Sequence, residues 1–297
     1  MTSPQVPSGQ GLQIRDLHMS AGRGRNTHEI LKGITFDVPP SRITGVAGES
    51  GSGKTMTALS VLRLNPMGTC ISGEIGFDGQ NLLALPEKAM TGIRGKRIAM
   101  VFQDPTSSLH PMISIGTQLT DHLRLHTGMN KKNALALAVQ TLEEVRVPNP
   151  ATALKKYPHQ FSGGQLQRVA IASAIICEPQ VLIADEPTTA LDVTVQAGIL
   201  RLLRLLCDER GLAIMLITHD LGVMSALADD IVVMRNGEIV EHGTRFQVIT
   251  DPHHPYTREL IDALPAAHMD DLYGIDSHSR QVAATTAGPD ESRETPA

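Results

Sequence analysis

Two kinds of apolar pattern divide the chain. Near the start, GLQIRDLHMS (11–20) and ILKGITFDV (30–38) alternate apolar and polar residues, the period of half-exposed strands. GEIGFDGQNL (73–82) adds an Asp78-Gly79 pair suited to a tight hairpin, so this region predicts a small antiparallel sheet. Deeper in the chain the runs are continuous: ITGVA (43–47), VLIAD (181–185) and LAIMLIT (212–218) fit parallel strands covered on both faces, and the last two are expected beside the first. MTALSVLRL (56–64) carries helical periodicity. Between Pro105 and Cys177 the pattern is helical again, clearest in NKKNALALAVQTLEEV and QLQRVAIASAII, so a helical insertion divides the α/β core. IVVMRNGEIVEHG then predicts two short strands about Asn236-Gly237. No internal repeat or heptad run is visible.

Length and composition change this picture little. At 297 residues the chain suits one large domain or two smaller ones. Residues 1–10 and 269–297 are small, polar and proline-containing, and read as disordered. A net charge of −5 gives no electrostatic reason to expect nucleic acid. Cys70, Cys177 and Cys207 are widely spaced and fit no metal-ligand pattern, as in a reducing cytoplasm. The N-terminus lacks the charged and apolar regions of a signal peptide. The longest uncharged apolar run, Val169–Cys177, is half of the roughly 20 residues that a membrane span needs. These features predict a chain soluble by itself, with any membrane role exercised through a partner.

The chemistry begins at GESGSGKT (48–55), which places Gly48, four spacers, Gly53, Lys54 and Thr55 between an apolar run and a helical one. That is the phosphate-binding P-loop pattern. Its glycines let backbone N–H groups turn inward, and the helix N-terminus adds a positive partial charge. Lys54 is expected to reach the β- and γ-phosphates, and the Thr55 hydroxyl to ligate magnesium. The alternative is a Gly/Ser-rich surface loop that happens to hold a lysine; the flanking strand and helix patterns disfavour it. A P-loop alone says only "nucleotide".

FSGGQLQR (161–168), Gln103 in VFQDP, Asp185 and Glu186 in VLIADEPTTALD, and His219 in ITHD narrow the choice. Together with the P-loop they resemble the ATP-binding-cassette (ABC) ATPases over about residues 11–265. The resemblance implies a P-loop NTPase core of RecA-like type, an N-terminal antiparallel β subdomain and a helical subdomain at about 105–177, within a cassette spanning 11–250. It implies ATP and Mg2+ as ligands. The nucleotide-binding positions would be Gly48, Glu49, Ser50, Gly51, Ser52, Gly53, Lys54, Thr55 and Met56, with Gln103, Ser162, Gly163, Gly164, Gln165, Asp192 and His219. Asp185, Thr55 and Gln103 would hold magnesium. Glu186 would polarise the attacking water, with His219, Gln103 and Lys54 completing the catalytic set. A lone histidine or an Asp-Glu pair at a strand end is ordinarily structural, and Asp192 could simply cap the helix VTVQAGILRLL. In the family, the Ser162–Gly164 loop of one cassette closes over ATP held by the P-loop of another.

One departure stands out. Cassettes of this family commonly stack an aromatic on adenine near the end of the first strand, yet Met19–Glu29 contains no Phe, Tyr or Trp. His28 and Arg25 are the planar groups left for that task.

The single cassette without a fused membrane domain points to an importer subunit, or to an exporter assembled from separate chains. DPHHPYTRELIDALP (251–265) resembles the extension of dipeptide, oligopeptide and nickel importer ATPases, as do QDPTSSLHP and YPHQFSGGQLQR. This extension is placed at 251–268. His253 and His254 read as loop residues before a helix opened by Pro255, not as nickel ligands. No cysteine follows Cys207, so the C-terminal iron–sulfur cluster of some members is unsupported. The expected assembly contains two membrane permeases and a second cassette, identical or paralogous. An extracytoplasmic solute-binding protein would act indirectly, no nucleic acid is expected, and the chain would sit peripherally on the cytoplasmic face. The competing expectation is a soluble ABC ATPase acting on nucleic acid or ribosomes.

Overall fold

The computed structural model describes residues 11–22, 27–189 and 191–263. The terminal segments expected to be disordered, and Arg25, lie outside them.

The first sheet is formed by β1 (Leu12–Ala21), β2 (His28–Val38), β4 (Thr69–Phe77) and the short β5 (Gln80–Asn81), in the order β2-β1-β4-β5, all antiparallel. Strict alternation along β1 would turn Asp16 inward. Instead a bulge at Asp16, with φ 46°, resets the phase, so that Leu12, Ile14, Leu17 and Met19 are all buried. Gly73 is required opposite it, because a Cβ there would lie 2.2 Å from the Asp16 carbonyl oxygen.

The second sheet comprises β3 (Ile43–Ala47), β6 (Ile98–Val101), β7 (Val181–Asp185), β8 (Ala213–Ile217), β9 (Asp230–Arg235) and β10 (Glu238–Thr244), ordered β10-β9-β3-β8-β7-β6. Five strands are parallel and β10 returns antiparallel on the edge. The expectation that both 181–185 and 212–218 flank β3 needs correcting. β8 does, but β7 lies one strand further out, because β9 takes the other side of β3. Strand β6 went unread, since four residues are too short a run to stand out. Both anticipated two-residue turns are present: Asp78-Gly79 has φ of 50° and 73°, and Asn236-Gly237 has 51° and 83°, the mirror-image turn that suits twisted hairpins.

Successive residues of one central strand serve opposite cores. Leu182 and Ala184 pack toward the helices, whereas Val181 and Ile183 pack toward the antiparallel sheet. That division is why the strand sequences are continuously apolar.

On the antiparallel-sheet side lie α1 (Lys54–Leu62) and α2 (Glu87–Thr91). On the other side lie α3 (Pro105–Ser108), which buries no residue, α4 (Ile115–Thr127), α5 (Lys131–Glu144), α6 (Pro150–Ala153), α7 (Gly163–Ile175) and α8 (Val193–Arg210). The apolar faces of α4 to α8 form one cluster with the sheet, linking Leu119 and Leu142 to Leu182 and Leu216. Finally α9 (Leu221–Leu227), α10 (Arg245–Thr250) and α11 (Pro255–Asp262) close over β9 and β10 in a third, smaller cluster. Among the described residues no helix is long and apolar enough to cross a membrane.

Candidate nucleotide site

The loop 48–53 leaves β3 and enters α1, as the sequence pattern required. Gly48 (φ 146°) and Gly53 (φ 106°) occupy backbone conformations that L side chains rarely adopt, and a Cβ at Gly48 would lie 2.2 Å from the Met234 carbonyl oxygen. The Lys54 side chain folds back along the loop. Its Nζ donates to the carbonyls of Gly48 (2.7 Å) and Glu49 (2.8 Å) and reaches Ser52 Oγ at 3.4 Å. Only 5% of Lys54 is exposed. Burial lowers its pKa from the usual lysine range, and the carboxylates of Glu186, Asp185 and Glu49 partly oppose that shift.

Thr55 and Asp185 meet at the end of β7, with Thr55 Oγ1 donating to Asp185 Oδ1 at 3.3 Å. Burial raises the Asp185 pKa, as does the neighbouring Glu186, against the Thr55 hydrogen bond and the Lys54 charge. A buried carboxylate in this state lacks full charge compensation. With a threonine hydroxyl beside it, it offers the hard oxygen donors that suit magnesium, which characteristically keeps other positions for water and phosphate. These residues therefore fit the ion that the family implies. Among the described residues no group of three or more His, Cys, Asp and Glu could hold a metal by itself.

Glu186, with φ 45°, is turned out of the strand line while its N–H donates to Ile217 O at 2.8 Å. Three side chains converge on its carboxylate. Gln103 Nε2 donates to Oε2 at 2.9 Å, Thr189 Oγ1 donates to the same oxygen at 2.9 Å, and His219 Nδ1 lies 3.2 Å from Oε1. The ends of β6, β7 and β8 thus deliver Gln103, Glu186 and His219 to one point. Thr189 was missed by the sequence reading, although it lies in the quoted PTTALD run.

The remaining predicted residues occupy a second place. Ser162 caps α7 and forms a reciprocal capping box with Gln165, so the Gln165 side chain is engaged locally. Asp192 Oδ1 accepts from Val195 N–H at 3.0 Å and caps α8, the local task its position suggested. None of the hydrogen bonds of Ser162 or Asp192 reaches the loop at 48–56. Gly164 is small for an internal reason, since a Cβ would come within 2.4 Å of Val195 Cγ1. Among the described residues Gly163 has no such reason: its Cβ would meet Leu191 Cδ2 at an ordinary 3.6 Å.

Met56 lends its side chain to the apolar core, so any phosphate contact there falls to the backbone. Ser50 and Gly51 stand at the exposed tip of the loop, and His28 is exposed at the start of β2. The N–H of Glu49 is taken by the hydroxyl of Tyr256 at 2.9 Å. Tyr256 is a second residue the sequence reading passed over, having used HPYT only as a mark of subgroup. His253 and His254 build the turn ahead of α11. Their N–H groups donate to the Glu241 carboxylate, and His254 Nδ1 accepts from Tyr256 N–H.

A family profile described as "ABC transporter" matches residues 31–189. A probable peptide ABC transporter ATP-binding protein of Sinorhizobium fredii is 45% identical over 256 residues, covering 86% of this chain and 76% of its own. A dipeptide transport ATP-binding protein of Bacillus subtilis is 43% identical over the same shares. Among solved structures, a dimeric ATP-binding cassette in a post-hydrolysis state with ADP and phosphate superposes with a TM-score of 0.70 at 26% identity, covering 79% of this chain and 98% of that one.

Proposed function

The chain belongs to the ABC transporter family, and on that premise we propose that it is the ATP-hydrolysing subunit of an importer for dipeptides or oligopeptides. Peptide transport is what the names of its relatives describe; nickel, the other solute expected from the C-terminal extension, has no specific support among them.

The observation that carries the mechanism is the convergence of Gln103, Thr189 and His219 on the carboxylate of Glu186. ATP hydrolysis needs a water aimed at the γ-phosphorus, charge stabilisation on the transferred group, and departure of ADP. Glu186 orients that water and accepts its proton as the new P–O bond forms. Gln103 and Thr189 hold the carboxylate in position, and His219 faces the γ-phosphate. Lys54 carries positive charge to the β- and γ-phosphates, while the N–H groups of the loop and of the α1 N-terminus bind phosphate oxygens. Thr55 and Asp185, with Gln103, would hold magnesium, which when bound neutralises phosphate charge.

Among the described residues of one chain the Ser162–Gly164 loop makes no hydrogen bond to the P-loop, and Gly163 is smaller than those surroundings require. Both features support a site completed by a second cassette, either a copy of this chain or a paralogue. ATP binding then favours the closed pair and hydrolysis reopens it, a population shift passed to two permeases at the membrane. The chain would lie on the cytoplasmic face, with the solute-binding protein engaging the permeases rather than this subunit.

Affinity purification from a native membrane extract tests the assembly. Recovery of two membrane permeases with ATPase activity is expected; recovery of RNA or DNA without a permease would replace this reading with the soluble nucleic-acid alternative.

A further inference from the structure

One peptide unit of the phosphate-binding loop is held from both sides. The carbonyl of Gly48 accepts from Lys54 Nζ at 2.7 Å, and the N–H of Glu49, across the same peptide bond, donates to the hydroxyl oxygen of Tyr256 at 2.9 Å. In a trans peptide these two groups point in opposite directions, so fixing one fixes the other. Gly48 contributes little resistance of its own to rotation of that unit, since it has no side chain.

Tyr256 is well placed to act as an anchor. It lies on α11, far along the chain, and is only 1% exposed. Its ring belongs to the apolar cluster that contains Leu221, Met224, Val233 and Val248, and the Arg235 guanidinium stands 4.6 Å above the ring centroid. The turn before it is tied to β10, where the Glu241 carboxylate accepts from His253 N–H at 2.7 Å and His254 N–H at 3.1 Å. His254 Nδ1 in turn accepts from Tyr256 N–H at 3.1 Å. The phenol is therefore located by a packed ring and a fixed turn, while the loop it touches is rich in glycine.

We propose that Tyr256 is a positioning residue for nucleotide binding: its hydroxyl orients the 48–49 peptide, and that peptide aims the Lys54 ammonium. This inference rests on the reading of residues 48–55 as the ATP site. It gives the HPYT segment a task at the phosphate grip, made through one hydrogen bond to the backbone. Lys54 is also held by Glu49 O and Ser52 Oγ, so losing the tyrosine hydroxyl loosens the lysine without releasing it.

Titrating the full chain with a fluorescent ATP analogue (mant-ATP) and magnesium tests the proposal. Tyr256→Phe keeps the ring and removes only the hydroxyl. It is expected to weaken binding roughly 3- to 10-fold, the worth of one hydrogen bond, and to raise KM for ATP by a similar factor with kcat little changed. Val248→Ala, on α10 in the same cluster, is expected to lower the unfolding temperature yet leave ATP affinity intact. Equal affinity for Tyr256→Phe and wild type overturns the proposal, as does an equal loss in Val248→Ala. Should Tyr256→Phe fail to fold, Glu241→Gln loosens the same turn. A raised KM supports the proposal and an unchanged KM overturns it. If wild type binds no ATP analogue, the reading of the site itself falls; if wild type binds and Tyr256→Phe binds equally, only the role of Tyr256 falls.

Discussion

The Gln103 amide nitrogen and the Glu186 carboxylate lie 2.9 Å apart, although 83 positions separate them in the chain. Gln103 follows β6 at the point where the sheet gives way to the helices beginning with α3. A movement of that helical layer can therefore be felt at the Glu186 carboxylate. Gln103→Ala is expected to lower kcat for ATP hydrolysis about 10- to 100-fold, with ATP affinity changed little. Single-turnover kinetics alongside equilibrium binding separate the two effects; a pure rise in KM would place Gln103 in binding alone.

Glu186→Gln keeps the size of the side chain and removes its ability to take a proton. ATP turnover is expected to fall by roughly 10²- to 10⁴-fold, the range for loss of a positioned base. Binding should persist, so light scattering with ATP and magnesium is expected to show a species of twice the monomer mass if this chain pairs with itself. A monomer that still binds ATP would assign the second half of the site to a paralogue or to a pair that forms only on the permeases. Unchanged turnover would remove Glu186 from the catalytic role.

Gly163 and Gly164 make opposite predictions. A methyl at Gly164 collides with Val195, where α7 packs against α8, and Gly164→Ala is expected to cost about 1–3 kcal/mol of stability. A methyl at Gly163 fits within this chain, and alanine is the better helix former, so Gly163→Ala should leave the unfolding temperature unchanged or raise it. Its expected defect lies in ATP-driven pairing and turnover. Thermal unfolding beside ATPase rate tests both, and full activity in Gly163→Ala would mean that no partner approaches there.

Most of this site can be read from contiguous sequence because its chemistry is local. A glycine-rich turn between an apolar run and a helix, or a carboxylate ending a buried strand, is recognisable without knowing what it touches. Tyr256 and Thr189 escaped for complementary reasons. Tyr256 acts through a hydrogen bond to a residue 207 positions away, and Thr189 looks like any threonine in a turn until Glu186 is seen to bend back with φ 45°. The order of the strands was only partly legible. Apolar runs reveal that β7 and β8 are buried, but which of them neighbours β3 depends on where the helical crossovers land. The bulge at Asp16 is invisible in a strict alternation, which predicts the wrong face for every residue beyond it.

The three cysteines should separate by reactivity. Cys70 is exposed, whereas burial pushes the thiols of Cys177 and Cys207 up to about 11, Lys96 and Arg204 respectively opposing the shift only in part. Near pH 8 a thiol of that kind is about one-thousandth thiolate, and the thiolate is the reactive form. One thiol per folded chain is expected to react quickly with a disulfide reagent and the other two on unfolding. Cys70→Ser should abolish the fast phase; two fast thiols in the native protein would contradict the burial of Cys177.

His122 on α4 gives the fold an acid-sensitive point. Burial lowers its pKa from the usual 6.5, and the nearby His126 lowers it further, while a hydrogen bond with the Gly95 backbone opposes the shift. The His126 ring lies 4.9 Å away between centroids, and burial lowers its pKa too, with Lys96 adding to the effect. A histidine held neutral by the fold binds fewer protons there than in the unfolded chain. Its contribution to stability is therefore fully present above pH 6.5 and is lost as the pH falls from 6.5 through the lowered folded value. The unfolding temperature is expected to drop between about pH 7.5 and pH 5.5, a window above most carboxylate titration. His122→Gln removes one of the two titrating rings and should flatten that drop. Calorimetry at the two pH values tests it, and an equal drop in wild type and variant would show that His122 is not the group being protonated.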